Sequence, residues 1–329
     1  MSEDYNNKNV SILNVGNVLV DIEISISSKQ LSEIPIQKGR AIEINSDELA
    51  FYLSKYKSQI TDQYLGGSIF TTAATSSIFK INNLFLGAVG KDNNSKFLID
   101  IMNTYPIKTF LNVDPQNTGC CLIFLTPDKE RTMAACPGAS GQLTLANFTK
   151  TERFDYIFSD LYSLNSVINK KTISHLLSSN KGFFLSLSDI SVMKKHMDFI
   201  KKYSDQIKII AGNEDEMKYL ERAMNSSLIS ASKKNNKLYI ITKGSSGSLI
   251  LHKGIEYVSE AIPTEVTSLN GAGDTFLGAF IGCYLETKDI RYSSNVANYF
   301  SYVSVQQNNA CLKFASLHNT KNAAKAAFL

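Results

Sequence analysis

Hydrophobic positions along the chain cluster into short apolar runs separated by longer stretches of mixed polarity. Val10–Val15 is a run of strand length. After Asn17 the pattern alternates strictly, with Val20, Ile22, Ile24 and Ile26 set against Asp21, Glu23, Ser25 and Ser27. A period of two predicts a strand with one buried and one wet face. Asn45, with Glu48 three positions later, predicts a reciprocal cap opening a helix through Leu49, Tyr52, Leu53 and Tyr56. A helix is then predicted from Ser68 to about Ile81, followed by a buried strand over 84–89. Cys120–Leu125 reads as a strand closed by the turn sequence Thr126-Pro127-Asp128-Lys129. Further strands are predicted at 156–159, 183–187, 207–211, 238–242 and 249–252, with helical patterns between several of them, as over 170–178 and 215–223. Strand alternating with helix predicts an α/β fold with a mostly parallel sheet covered on both faces.

Composition narrows the classes. The chain has 329 residues, 43% hydrophobic and 19% charged. That is too long for a stapled mini-domain and too apolar for a disordered chain, leaving one large α/β domain or two unequal ones. Lys and Arg number 34 against 30 Asp and Glu, a net +4, far from the concentrated basic stripe of a nucleic-acid binder. No window approaches 18 consecutive apolar residues, and residues 1–9 are polar with no apolar signal core, so a cytoplasmic protein is expected. Cys120, Cys121, Cys136, Cys283 and Cys311 form no CxxC pair and are odd in number, which fits buried, reduced thiols. His175, His196, His252 and His318 show no zinc spacing and are expected at the surface. Lys194-Lys195 and Lys233-Lys234 read as solvated charge pairs.

Four segments carry candidate chemistry. In Asn270-Gly271-Ala272-Gly273-Asp274, small residues precede an apolar helix predicted to begin around Gly273. Backbone N–H groups at such a helix start form an anion site, and Asp274 in the first turn is placed to accept a proton from an attacking hydroxyl. The same residues would serve equally as an ordinary helix start with a favourable acid. Gly66-Gly67-Ser68 and, later, Gly87 to Asp92 place glycines beside strands, which turn chemistry alone also explains. Asn213 and Glu216 read as a helix cap or as oxygen groups holding water around Mg²⁺. Thr242, Gly244 and Gly247 form a glycine turn able to line a nucleotide site. Arg131 stands among few arginines and suits either a surface hairpin or a contact to substrate. No GxxxxGK[ST] occurs, and the dinucleotide fingerprint fails because its third glycine falls at Phe276.

In this order the segments resemble the ribokinase-like (PfkB) carbohydrate kinase family, and within it the adenosine-kinase-like branch. The resemblance runs nearly end to end. It implies a ribokinase-like three-layer core with a mostly parallel central sheet, and a small β-strand lid drawn from about 17–45 and 108–135, all within one domain spanning 1–329. It further implies an ATP-dependent phosphotransferase acting on the primary hydroxyl of a ribose-containing acceptor, with adenosine favoured. The acceptor would lie against Asn17, Asp21, Gly66, Gly67, Thr71 and Arg131. ATP would lie along Asn213, Thr242, Gly244, Gly247, Asn270 and Asn298. Asp274 would be the catalytic base, with the amides of Gly271, Ala272 and Gly273 taking up negative charge. Mg²⁺ would be held by Glu216 through water.

The sequence also departs from the family pattern. Thr71 stands where the family has an asparagine, and Ser268 and Leu269 replace an Asp-Thr pair whose aspartate helps form a monovalent-cation site in some members, which leaves potassium activation open. Asn309 stands where a late glycine is usual. Bulky Tyr299, Phe300 and Tyr302 stand where small residues are usual, narrowing or reshaping the base pocket. Two other readings remain, a free-sugar kinase for ribose or fructose and a nucleotide- or nucleoside-binding protein with little turnover. The expected partners are a small acceptor and ATP, with no nucleic acid and no membrane. A lid with an apolar face allows a monomer or a lid-paired homodimer.

Overall fold

The central run Val10–Val15 becomes the middle of a nine-stranded sheet in the computed structural model, which describes residues 10–128, 130–148, 154–179 and 182–328. The segment 1–9 and Lys129 of the expected turn lie outside the described residues. From one edge the large sheet runs β6 (Lys108–Val113), β5 (Ile81–Val89), β1 (Val10–Val15), β9 (Tyr156–Asp160), β10 (Phe183–Ser186), β11 (Ile207–Asn213), β12 (Leu238–Thr242), β13 (Ser248–His252) and β14 (Ile255–Ser259). Pairing is parallel from β6 through β12 and antiparallel across β12, β13 and β14. A parallel sheet is buried on both faces, so its strands are apolar at consecutive positions. Ile12, Phe85, Phe158 and Ile240 face one core, packed with the helices Ser68–Ser76, Asn93–Met102, Ala272–Thr287, Ile290–Ser304 and Phe314–Phe328. Leu13, Leu86, Ile157 and Ile241 face the other, under the helices Val167–Ser178, Ile190–Lys202, Glu214–Met224 and Leu228–Asn235. The result is the expected three-layer α/β arrangement.

A second sheet of five strands runs β3 (Ala41–Glu43), β8 (Arg131–Cys136), β7 (Cys120–Leu125), β2 (Leu19–Ser25) and β4 (Ile60–Gly66). Val20, Ile22, Ile24, Leu122 and Phe124 join the first core, as the period-two pattern requires. The other face is not simply wet. Tyr64, Cys121 and Ile123 are buried there against Ala310, and Asp21 is only 7% exposed. The bounds of this sheet also differ from 17–45 and 108–135. β4 belongs to it, while β6 pairs with β5 in the large sheet. The pattern hides β4 because Thr61, Asp62 and Gln63 are exposed on an edge strand.

Other expectations hold or shift for local reasons. Asn45 caps the helix Ser46–Lys55 with Glu48 as reciprocal partner, and Tyr56 ends it. The helix from Ser68 stops at Ser76, and β5 starts at Ile81 instead of residue 84. The two asparagines that broke the apolar run belong to the strand. Asn83 is buried, accepting from Asn14 Nδ2 at 3.0 Å and donating to Ser76 Oγ at 3.1 Å. A buried amide with partners is tolerated where hydropathy alone forecasts a loop. The five cysteines are free and buried, as expected. His175 and His318 are exposed, but His196 is only 7% exposed, correcting its expected surface position, because its ring hydrogen-bonds Asn165. No helix among the described residues is long and apolar enough to cross a membrane.

The helices Ser68–Ser76 and Ala272–Thr287 touch at Gly278, where an added Cβ would fall on the Thr72 carbonyl oxygen. Gly278→Ala should therefore destabilise by about 1–3 kcal/mol through overpacking, outweighing the roughly 1 kcal/mol of helix propensity gained. Urea unfolding at unchanged slope checks this, and a stabilised variant would contradict the close contact.

Candidate active site

Strand order places the site. The chain builds β1, moves outward to β5 and β6, then returns to add β9 to β12 on the other side, so the order reverses between β1 and β9. Crevices outside the carboxyl ends of strands at such a reversal are where open α/β sheets hold ligands. Asn17 follows β1, and Asp160 and Tyr162 follow or end β9. Two cavities open here, sharing Tyr162 in their walls.

The first, of about 170 Å³, is lined among others by Ser68, Ser188, Asn213, Glu216, Thr242, Gly273 and Asp274. At its edge Gly271 sits at φ 70°, and an added Cβ there would strike the Ala310 carbonyl, so only glycine turns the chain this way. The helix starts at Ala272, one residue earlier than expected, and no side chain caps it. The Ala272 amide reaches the Leu269 carbonyl at 3.4 Å, so the amides of Gly273 and Asp274 are the ones left for an anion. Gly273 faces open space. The Asp274 carboxyl is pushed up to about 6, chiefly by burial and then by the nearby Asp160 carboxylate, against a hydrogen bond with Ser68 and the pull of Arg131. Across the cavity, Asn213 donates from its backbone N to Glu216 Oε2 at 2.9 Å and from Nδ2 to Oε1 at 2.8 Å. The capping box is therefore real, and it also faces the cavity. Burial, with Asp189 and Asp274 adding, pushes Glu216 up to about 7 despite the Asn213 N–H.

The second sheet brings another acid to the same place. Asp21 on β2 lies directly opposite Tyr64 on β4. Gly66 leaves the room that Asp21 occupies, since a Cβ there would overlap its carboxyl. Asn270 donates from Nδ2 to the Tyr64 hydroxyl at 3.1 Å, and its side chain also hydrogen-bonds Asp21. Burial and the Asp274 charge raise Asp21 to about 7, with Asn270 and Arg131 opposing. Arg131 is itself lowered by burial, with Tyr64, Glu130 and Asp21 opposing. Gly67, at φ 107°, lies against the Asn17 carbonyl. Asn17 lines the second cavity, of about 290 Å³, with Glu43, Ile44, Pro137 and Asn165 among its other walls.

Some expected site residues stand apart. Thr71 is buried within its helix at 1% exposure and reaches neither cavity. Asn298 is buried and donates to Ser248 Oγ and the Glu260 carbonyl, tying the helix Ile290–Ser304 to the β13–β14 edge. Gly244 and Gly247 shape the turn after β12 through positive φ, just past Thr242. Tyr299, Phe300 and Tyr302 line neither cavity. Phe300 is fully buried near Phe79, and Tyr299 packs on Tyr302 and Phe328. Tyr64, Asp160 and Tyr162 are unmarked in the sequence, and Ser68 is marked there only as the end of a glycine turn. Asp160 and Tyr162 carried one usable signal, polar groups just where an apolar strand ends. Among the described residues no three His, Cys, Asp or Glu side chains converge as direct metal ligands.

The comparisons agree with this architecture. The description "pfkB family carbohydrate kinase" matches residues 40–316. The chain is 25% identical to an adenosine kinase from Dictyostelium discoideum, over 92% of this chain and 96% of that protein. It is 29% identical to a ribokinase from Lactococcus lactis, over 68% of this chain and 72% of that protein. Among solved structures, adenosine kinase from Sinorhizobium meliloti superposes with a TM-score of 0.84 at 20% identity, covering 97% of this chain and all of that one. Adenosine kinase from Schistosoma mansoni in complex with 2-fluoroadenosine gives 0.80 at 17% identity, over 93% and 98%.

The raised carboxyls make a pH signature. A group whose folded pKa lies above its unfolded value binds its proton more tightly when folded, so its contribution to stability falls as pH rises between the two values. For Asp21 that window runs from the ordinary carboxyl value of 3.8 to about 7. Asp21→Asn removes the buried charge, so its stability relative to wild type should increase from pH 4 to about 7 and level off above. Urea unfolding of the ligand-free protein at several pH values checks this. A difference that stays flat would mean Asp21 ionises without penalty.

Proposed function

The chain belongs to the pfkB family of carbohydrate kinases, and we propose that it is a phosphotransferase moving the γ-phosphoryl group of ATP to the primary hydroxyl of adenosine. The observation that carries this is the Asp274 carboxyl, tuned to about 6 beside an uncapped helix start and facing both the cleft and Asp21. A base poised near neutrality is what deprotonating a hydroxyl requires. The relatives named adenosine kinase, which cover nearly the whole chain, support the acceptor choice.

In this reading Asp21 accepts hydrogen bonds from the ribose hydroxyls, with Gly66 and Gly67 letting the sugar approach the backbone. Asp274 takes the proton of the attacking hydroxyl. The amides of Gly273 and Asp274 receive the charge growing on the transferred group, and Arg131 closes over it from β8. Asn213, Thr242 and the turn through Gly244 and Gly247 border the nucleotide, Asn270 joins the acceptor side to the anion site, and Asn298 holds the sheet edge beneath. Movement of the second sheet as a lid would exclude water. The acidic cleft fits a magnesium ion held through water. Both Glu216 oxygens are engaged by Asn213, so direct ligation is disfavoured, while Glu216 and Asp274 crowd each other without a counter-cation. Bound there, magnesium would neutralise phosphate oxygens. The five buried free thiols suit a reducing cytoplasm.

Purified protein supplied with Mg-ATP should release ADP with adenosine well above its response to ribose or fructose. Release with ribose alone would establish the free-sugar reading, and nucleoside binding without release would establish a binding protein. Asp274→Asn should lower kcat by roughly 10²–10⁴-fold while leaving the fold intact, the range for loss of a positioned base. An active variant would remove Asp274 from the mechanism.

A further inference from the structure

The second cavity has a lining that is polar but nearly uncharged. Its described walls include the amides of Asn45, Gln116, Gln142, Asn165 and Asn169, apolar surface from Ile44 and Pro137, and the ring of Tyr162. Glu43, at the end of β3, is the one carboxylate among them, and no Lys, Arg or His accompanies it. An amide can donate or accept, so a wall of amides does not choose between ligand edges. An ionised carboxylate only accepts.

Glu43 is also aimed. Asn165 donates from Nδ2 to Glu43 Oε2 at 3.3 Å, and Asn165 Oδ1 lies 3.1 Å from His196 Nε2. Burial, with Lys170 and Lys195 adding, pushes His196 down to about 4, so the ring is neutral at pH 7 and carries one N–H. Since Asn165 Oδ1 can only accept, that proton sits on Nε2. The bare Nδ1 is left without a partner, as observed. The chain from His196 through Asn165 thus gives the exposed Glu43 carboxylate one bond at Oε2 and leaves Oε1 for a ligand. The ribose site adjoins this cavity, because Gly67 packs on the carbonyl of Asn17, which lines it. In the nucleoside reading, a base attached to a ribose held by Asp21 would enter here, away from Asp274.

We propose that Glu43, held by Asn165 and His196, selects the base, accepting an N–H from the exocyclic amino group of a 6-aminopurine and opposing the carbonyl oxygen of a 6-oxopurine. This rests on the nucleoside reading given above. Asn165 and His196 are positioning residues, and neither touches the base in this arrangement.

The test is calorimetric binding of adenosine and of inosine to the full chain, wild type and Glu43→Gln, with thermal unfolding to confirm that both are folded. One hydrogen bond to a charged group sets the expected scale, so wild type should bind adenosine at least about tenfold more tightly than inosine. In Glu43→Gln the amide oxygen keeps the Asn165 bond and the NH₂ turns to the cavity, where it can donate to a 6-oxo group. The ratio should then fall to about unity or below, because a donor facing the cavity suits the 6-oxo group and not the 6-amino group. Asn165→Ala should narrow the ratio in the same direction while leaving the KM for ATP unchanged, a split that general damage to the fold would not produce. An unchanged ratio in Glu43→Gln overturns the proposal, as does equal binding of both nucleosides by wild type. Selective adenosine binding without ADP release would overturn the kinase reading and leave the base selection standing. Binding of neither nucleoside would overturn both.

Discussion

Four carboxyl groups gather around one cleft with little positive charge to balance them, and much of the surrounding structure is arranged to keep them there. Asp21 comes from the small sheet, Asp160 from the end of β9, Glu216 from the helix after β11 and Asp274 from the helix after the glycine turn. Burial raises all four, and neighbouring carboxylates add to this for Asp21, Asp274 and Glu216. Isolated buried carboxylates are costly, so each is given partners. Ser163 donates to Asp160 from its backbone N at 2.8 Å and its hydroxyl at 2.6 Å. Asn213 satisfies Glu216, Ser68 meets Asp274, and Asn270 meets Asp21. Arg131 opposes the raised state of both Asp21 and Asp274. The sheet carrying Asp21 and Arg131 and the core carrying Asp274 therefore meet electrostatically at the site itself.

The same requirement explains the glycines at the centre. Gly66 makes room for a carboxyl, and Gly271 lets the chain turn under the Ala310 carbonyl. These are demands of close approach, with positive φ added at Gly271. Gly273 differs, since nothing lies near its missing side chain. Its smallness serves whatever enters the cleft. One short segment thus contains a glycine required by the fold and another left free for a ligand.

Much of this was legible in the sequence because it is local. The capping residues Asn45 and Asn213 announce themselves through the glutamates three positions on, and the turn before Asp274 is written in consecutive small residues. The strands of the parallel sheet are readable because burial on both faces leaves a continuous apolar run. What the sequence hid depends on pairing between distant segments. Asn83 interrupts an apolar run and becomes intelligible only beside Asn14. Asp21 occupies the polar phase of an alternating strand, and nothing local tells that Tyr64 and Asn270 will bury it. His196 looked like a solvated histidine because its partner Asn165 lies 31 residues away. Tyr299 and Phe300, bulky against the family pattern, pack their rings near Phe328 and Phe79, contacts that no local pattern announces.

Tyr162 joins these levels, because it stands in the walls of both cavities. Its hydroxyl is raised by burial and then by Asp189, Asp160 and Glu216, groups that belong to the cleft on the Asp274 side. A neutral phenol there separates two polar spaces without adding charge to an already acidic one. A phosphoryl donor and its acceptor must meet in line while water is kept from the same path. In the kinase reading, an aromatic wall shared by the two cavities would leave the region of Asp274 and Asp21 as the place where their occupants meet. The site is thus defined as much by what divides the cavities as by what lines them.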